Sequence, residues 1–264
     1  MFTCPKCHKK LNITDKSYRC DSGHSYDIAK KGYVNLLMSQ VSKNRHHGDD
    51  KLMAVARREF LDKGYYLPLA RAVCDRVRGR TVGDIGCGEC YYLSYIKDNI
   101  EDSLCVGIDI SKEILEVASA RTKPRGIITA VASGASLPFE NESFDTLISV
   151  FAPISADEFY RVLKKDGIIL RVTPEIDHLF ELKAAVYDIP RKNDPLDMAL
   201  HGFEIEKSDR LTYTFTVDSK DAVNLFAMTP YYYKTSPADR DKLLSVDSIK
   251  ITADFNITIY RKCN

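Results

Sequence analysis

Four side chains near the start of the chain can hold a soft metal: Cys4, Cys7, Cys20 and His24, in CPKCHKKLNITDKSYRCDSGH. Their spacing, C-x2-C-x12-C-x3-H, places ligand pairs on two tight turns, and two such pairs can close a tetrahedral zinc site. Protein would fill all four positions, so the site is structural rather than catalytic. Its metal would supply folding energy that so short a segment lacks. His8 competes for one position; His24 is preferred because it completes the second pair.

A second chemical signature is VGDIGCGECYY, residues 82–92. Gly86 and Gly88 allow a backbone to approach a ligand closely at a helix N-terminus. Asp109 closes the next apolar run, LCVGID, and a carboxylate there can accept from both ribose hydroxyls of an adenosine. The turn is G-x-G rather than G-x-G-x-x-G, and it carries the acids Asp84 and Glu89, which would repel a phosphate. An acidic turn suits a cationic, phosphate-free nucleoside. S-adenosylmethionine, with its sulfonium and ammonium, fits; another nucleotide on a Rossmann-like sheet is the alternative. Cys87 and Cys90 form a C-x-x-C inside this turn, but the glycines around them already have a use, so a redox or metal role there is the secondary reading.

The elements that must position these groups alternate. From residue 51 the pattern reads helix (DKLMAVARREFLDKG, capped by Asp49 or Asp50), helix (LPLARAVCDRVRG), strand (TVGDI), helix (YYLSYIKDN), strand (LCVGID), helix (KEILEVASART), strand (GIITAVA) and strand (FDTLISVFA). A helix ended by Gly167 follows (SADEFYRVLKKDG), then a strand (IILRVTP) and a helix (DHLFELKAAVYD). Strand-like runs around LTYTFTV and ITADFNITIY flank a last helix, SKDAVNLFAM. Such alternation predicts an α/β fold with a mostly parallel, doubly wound sheet, here of seven strands. Residues 1–36 form a separate zinc module, 37–50 (LMSQVSKNRHHGDD) a polar basic arm, and 51–264 the main domain.

The 264 residues allow one large domain with a small appendage, and no apolar run approaches the roughly 20 residues that span a bilayer. The start lacks a secretory apolar segment, so a cytoplasmic protein is expected, and its eight cysteines read as metal ligands and free thiols rather than disulfides. A net charge of +1 hides an asymmetric front. Residues 1–48 carry Lys6, Lys9, Lys10, Lys16, Arg19, Lys30, Lys31, Lys43 and Arg45 against Asp15, Asp21 and Asp27. A basic front on a near-neutral body suggests a polyanion partner. Tyr18, Tyr26 and Tyr33 are interleaved with these cations and could stack bases, or equally pack the module.

Beyond the glycine turn, ASGASLPFENESFDTLIS and KKDGIIL resemble the corresponding stretches of class I methyltransferases, in which Ser133 would sit near the adenine. The resemblance then narrows. CPKCHKKL, YRC…GHSYDIAKKGYVNLL, ARREFLDKGYYLPL, DIGCGECYY, GIDISK, FAP, TPEIDHLFELK, MTPYYYK and TADFNI run end to end like the bacterial 23S rRNA guanine-N1 methyltransferases. This resemblance implies a zinc ribbon bound by Cys4, Cys7, Cys20 and His24, and a S-adenosylmethionine pocket lined by Tyr66, Gly88, Glu89 and His178, with Asp109 on the ribose. Cys90 departs from the family, which commonly has a third glycine there. The implied activity is methyl transfer to N1 of a guanine in a 23S rRNA hairpin loop. Phe151, in the FAP after the fourth strand, would stack on the flipped base, or else pack the core. Lys30, Lys31, Lys43, Arg45, Arg57 and Arg58 would meet phosphates, so binding should weaken steeply with salt. A homodimer would give a neutral body two grips on one hairpin. A small-molecule methyltransferase, or a non-catalytic RNA-binding protein on a relic fold, are the competing readings.

Overall fold

A computed structural model describes residues 1–38 and 51–263. The N-terminal segment folds as three short antiparallel strands, β1 (Asn12–Ile13), β2 (Ser17–Arg19) and β3 (Ser25–Asp27), followed by β4 (Tyr33–Asn35). Helices α1 (Lys51–Asp62) and α2 (Leu67–Cys74) come next; the Asp49 and Asp50 cap lies outside the described residues. Then follow β5 (Thr81–Ile85), α3 (Tyr91–Asn99), β6 (Leu104–Asp109), α4 (Lys112–Arg125), β7 (Ile128–Val131), β8 (Phe144–Val150) and α5 (Ala156–Val162). The chain continues with β9 (Leu163–Pro174), α6 (Phe180–Val186), β10 (Phe203–Asp218), α7 (Ser219–Ala227), α8 (Pro237–Asp241) and β11 (Ser248–Lys262).

The large sheet has the order β10-β11-β9-β8-β5-β6-β7-β4. Pairs from β9 through β4 are parallel, and β11 runs antiparallel to both neighbours. The central strands are buried on both faces because helices cover both, which is why TVGDI and LCVGID are apolar throughout except at their ligand-facing ends. Local chemistry sets several boundaries. The Ser111 hydroxyl accepts the Ile114 N–H at 3.2 Å to start α4, and Gly126 ends that helix in the left-handed region. The Asp218 side chain accepts the Asp221 N–H at 2.8 Å to start α7.

Two differences from the sequence reading have physical causes. Gly167 does not end a helix: α5 stops at Val162, and residue 163 already pairs with Phe144 as β9 begins. The register jumps from Phe144–Leu163 to Thr146–Ile168, so residues 164–167 bulge, and a Cβ at Gly167 would meet Leu163 side-chain carbons at 2.8 Å. The seven expected strands are joined by an eighth, β4, which pairs in parallel with β7 through Tyr33–Thr129, Val34–Ala130 and Asn35–Val131. Phe2, Leu11, Val34 and Leu36 share one apolar cluster with Ile108, Ala130, Phe139 and Phe144. The Phe2 ring stacks on Phe139 at 5.3 Å. The N-terminal segment is too small to bury its own apolar surface and uses the sheet to do so.

Candidate functional site

The metal ligands converge. The ligand atoms of Cys4, Cys7, Cys20 and His24 all lie within 4.8 Å of one another. His24 Nδ1 is 3.4 Å from both Cys4 Sγ and Cys20 Sγ, and Cys7 Sγ is 3.6 Å from Cys20 Sγ. A zinc tetrahedron with bonds of about 2.3 Å to sulfur and about 2.0 Å to nitrogen has edges of about 3.5–3.8 Å, so the residues present fit the ion. Burial works against the Cys4 thiolate. The Tyr26 hydroxyl, 3.2 Å from Cys4 Sγ, and the Lys6 and Cys7 backbones outweigh it and bring its pKa down to about 6. Tyr26 is thus an outer support of the metal site. Tyr18 lies edge-on to Phe2 at 5.2 Å, and Tyr33 is buried in β4 with its hydroxyl donating to Glu116 at 3.3 Å. Tyr18 and Tyr26 pack the module, whereas Tyr33 packs into the core of the large sheet.

The carboxyl ends of β5–β9 open on a cavity of about 900 Å³. Tyr66, Asp84, Gly86, Gly88, Glu89, Asp109, Ser133, Phe151 and His178 all line it, together with Arg57. Gly86 and Gly88 have φ of 81° and 53°; a Cβ at Gly86 would come within 2.6 Å of the Ala152 Cβ. Asp109 is shared between jobs. One carboxylate oxygen accepts the Gly88 N–H at 3.0 Å, the other the Ser111 N–H at 2.9 Å. It ties the glycine turn to the start of α4.

The turn is acidic and dry. Burial, reinforced by the charge of Asp109, pushes Asp84 up to about 8. Burial pushes Glu89 up to about 7, against the pull of the Arg121 guanidinium that it contacts. Only one Glu89 oxygen is used in that pair; Oε1 is buried with no hydrogen-bond partner. An orphaned carboxylate oxygen and a carboxyl kept protonated by its surroundings are what a cationic ligand would complete. This donor set fits S-adenosylmethionine.

The opposite wall is aromatic. Phe151 is held at φ 58° and remains 47% exposed, with its ring 6.1 Å from His178 and 5.8 Å from Phe255. A bulky residue forced into the left-handed region and left facing a cavity marks a functional position. His178 is buried, and burial lowers its pKa to about 3. Its Nδ1 accepts the Asp254 N–H at 3.2 Å, so Nε2 carries the proton and can only donate. The Tyr66 ring packs among Phe60, Phe255 and His178.

The other basic residues stand elsewhere. Arg58 pairs with Asp62 at 3.6 Å on the outer face of α1. Lys30 and Lys31 are exposed in the turn between β3 and β4, where the Lys30 carbonyl accepts from Lys123 Nζ at 3.2 Å. Lys43 and Arg45 lie outside the described residues. Among the lining residues not singled out in the sequence, three carry polar groups that matter here. Arg171 is the one cation within IILRVTP, and a charge in a central strand was the available signal. Tyr231 lies within MTPYYYK. Asn193 is in an irregular stretch with no such signal; its side chain donates to the Glu175 and His178 carbonyls and accepts from Lys183 and Tyr231.

A zinc-ribbon family model described as "RlmA, N-terminal" matches residues 2–45, and a "Methyltransferase domain" model matches 83–170. With the strand order above, the main body is a class I S-adenosylmethionine-dependent methyltransferase fold. A Micromonospora griseorubida protein provisionally named 23S rRNA (guanine-N(1)-)-methyltransferase is 32% identical over 98% of this chain and 96% of its own length. A Bacillus subtilis protein with the same provisional name is 32% identical over 99% of this chain and 97% of its own. The 23S rRNA (guanine(748)-N(1))-methyltransferase of Streptomyces fradiae is 32% identical over 89% of this chain and 86% of its own.

Proposed function

The chain belongs to the 23S rRNA (guanine-N(1)-)-methyltransferase family, and on that premise we propose that it methylates N1 of a guanine presented in a hairpin loop of 23S rRNA. The observation that carries the reading is the single cavity joining the acidic glycine turn to the strained, exposed Phe151. S-adenosylmethionine supplies an electrophilic methyl on a sulfonium: the N1 lone pair forms the new N–C bond, and the C–S pair stays on sulfur. Asp84 and Glu89 would face its cationic groups, and Asp109 its ribose. Ser133 lies on the wall where the adenine would sit.

Guanine N1 is closed off by pairing in a duplex, so the base must be unpaired or flipped. Phe151 offers the flipped base a stacking face. With Nδ1 already accepting the Asp254 N–H, His178 is not the proton acceptor in this reading. The exposed Lys30 and Lys31 supply phosphate contacts at the ribbon, and two copies of the chain would double that grip. Among the described residues no helix is long and apolar enough to cross a membrane, which accords with work on ribosomal RNA in the cytoplasm.

The test is methyl transfer from labelled S-adenosylmethionine to unmodified 23S rRNA, followed by nucleoside analysis. One equivalent of 1-methylguanosine at one site is the expected product. A methyl on another atom of the base would discard the N1 assignment. No transfer, with the cofactor shown to bind, would favour a small-molecule substrate.

A further inference from the structure

The cavity is electrically polarised. Among the described lining residues the carboxyl groups Asp84, Glu89 and Asp109 cluster at β5, β6 and the turn between β5 and α3. Two of the described lining residues are cationic, and they are far apart in role. Arg57 reaches the acidic end, its Nη1 3.3 Å from where a Gly88 Cβ would stand, whereas Arg171 belongs to β9. Following the sheet order β9-β8-β5-β6, the strands offer a guanidinium (Arg171), an aromatic ring (Phe151), a carboxyl (Asp84) and a carboxyl (Asp109).

Arg171 is only partly used by the protein. Nη1 donates to the Asp197 carbonyl at 3.3 Å, and Nε is buried with no hydrogen-bond partner. An unpaired buried donor on a charged group is costly; Arg76 and Arg240 also carry such an Nε, and among the three Arg171 is the one that lines the cavity. The other candidates for this end of the cavity are occupied. Lys183 Nζ is committed to Asn193 and lies over the Tyr231 ring, and His178 is neutral.

We propose that Arg171 contacts the substrate guanine, its guanidinium binding O6 of the base stacked on Phe151 and stabilising the negative charge that appears there as N1 loses its proton. The proposal rests on the reading of the preceding subsection. Arginine is the side chain whose fork matches the O6 edge of guanine. When the N1–H bond breaks, its electron pair stays on the ring, shared between N1 and O6, and the proton passes to water at the cavity mouth. A donor already aimed at O6 favours that loss without a dedicated base. The same contact selects guanine over adenine, which presents a donor where guanine has O6.

The experiment compares wild type, Arg171→Met and Arg171→Lys as full-length zinc-loaded proteins. The readout is 1-methylguanosine formation on unmodified 23S rRNA, with kcat and KM separated between pH 6 and 9. Arg171→Met should lower kcat about 10²–10³-fold while S-adenosylmethionine affinity stays within about twofold. Its rate should climb about tenfold per pH unit where wild type is flat, because rising pH then performs the deprotonation. Arg171→Lys, which keeps the charge without the fork, should fall between the two. An unchanged kcat with a raised KM and a shallower salt dependence would make Arg171 a phosphate contact and overturn the proposal. A loss equal at every pH would make it structural and overturn it as well. Should Arg171→Met fail to bind the cofactor, Arg171→Lys against Arg171→Gln decides on the same readouts. Absence of 1-methylguanosine with wild type would sink the underlying reading, and the role of Arg171 with it.

Discussion

Asp84 makes cofactor affinity a function of pH. In the free protein its pKa is held up to about 8, so about 1% of it is ionised at pH 6. A cation bound against it requires the carboxylate, so binding must expel a proton. Between pH 5.5 and 7, below most of the range where an α-amino group titrates, this one proton should raise S-adenosylmethionine affinity by close to tenfold per unit, about 30-fold over the interval or ~2 kcal/mol. Glu89, held up to about 7 by burial, steepens the lower half. Calorimetry in two buffers of different ionisation enthalpy measures both the affinity and the proton count. Asp84→Asn should remove its share of the slope and leave that of Glu89. An affinity flat to within threefold, with no proton released, would refute the pairing of these acids with the cationic ligand. In the free protein the linkage has the opposite sign. The folded pKa of Asp84 lies above its unfolded value, so its contribution to stability is complete below about pH 4 and is lost as pH rises towards about 8.

Three further outcomes are expected. Phe151→Ala should lower methylation of rRNA about 10- to 100-fold, the worth of one stacked base, with cofactor affinity unchanged by calorimetry; an unaltered rate would return Phe151 to a packing role. Gly86→Ala meets both a left-handed φ and the Ala152 Cβ at 2.6 Å, so it should abolish measurable cofactor binding or lower the melting temperature. Stripping zinc with a chelator should lower the melting temperature of the whole protein, not only of the ribbon, because Phe2, Val34 and Leu36 share a core with the large sheet. Two separate thermal transitions in the apo protein would contradict that shared core.

The parts of the site that were legible in the sequence are those set by local geometry. The spacing of Cys4, Cys7, Cys20 and His24 reports two tight turns, and tight turns bring their own ligands together. Asp84, Gly86, Gly88, Glu89 and Asp109 sit at strand ends, so their convergence follows from a parallel sheet. What was hidden depends on packing between distant segments. Tyr33–Asn35 is too short for any period and becomes a strand only because β7 offers an edge. Tyr18, Tyr26 and Tyr33 look like a base-stacking surface until their contacts are seen: Tyr18 on Phe2, Tyr26 on Cys4, and Tyr33 in the core of the large sheet. The buried, unpaired Nε of Arg171 has no trace in a linear sequence beyond a charge among apolar neighbours.

The junction between β4 and β7 also bears on how the molecule is made and how it can be cut. Val34 is synthesised long before its partner Ala130, so on the ribosome the first residues must be kept soluble until the receiving edge exists. A bound zinc ion, available to the nascent chain as soon as His24 has emerged, is suited to that waiting period. The same junction sets a limit on engineering. A fragment of residues 51–264 would retain every described residue that lines the cavity, yet expose the bare edge of β7 and the apolar ground around Ile108, Ala130 and Phe139. Such an edge recruits other strands, so aggregation is the expected fate of the fragment.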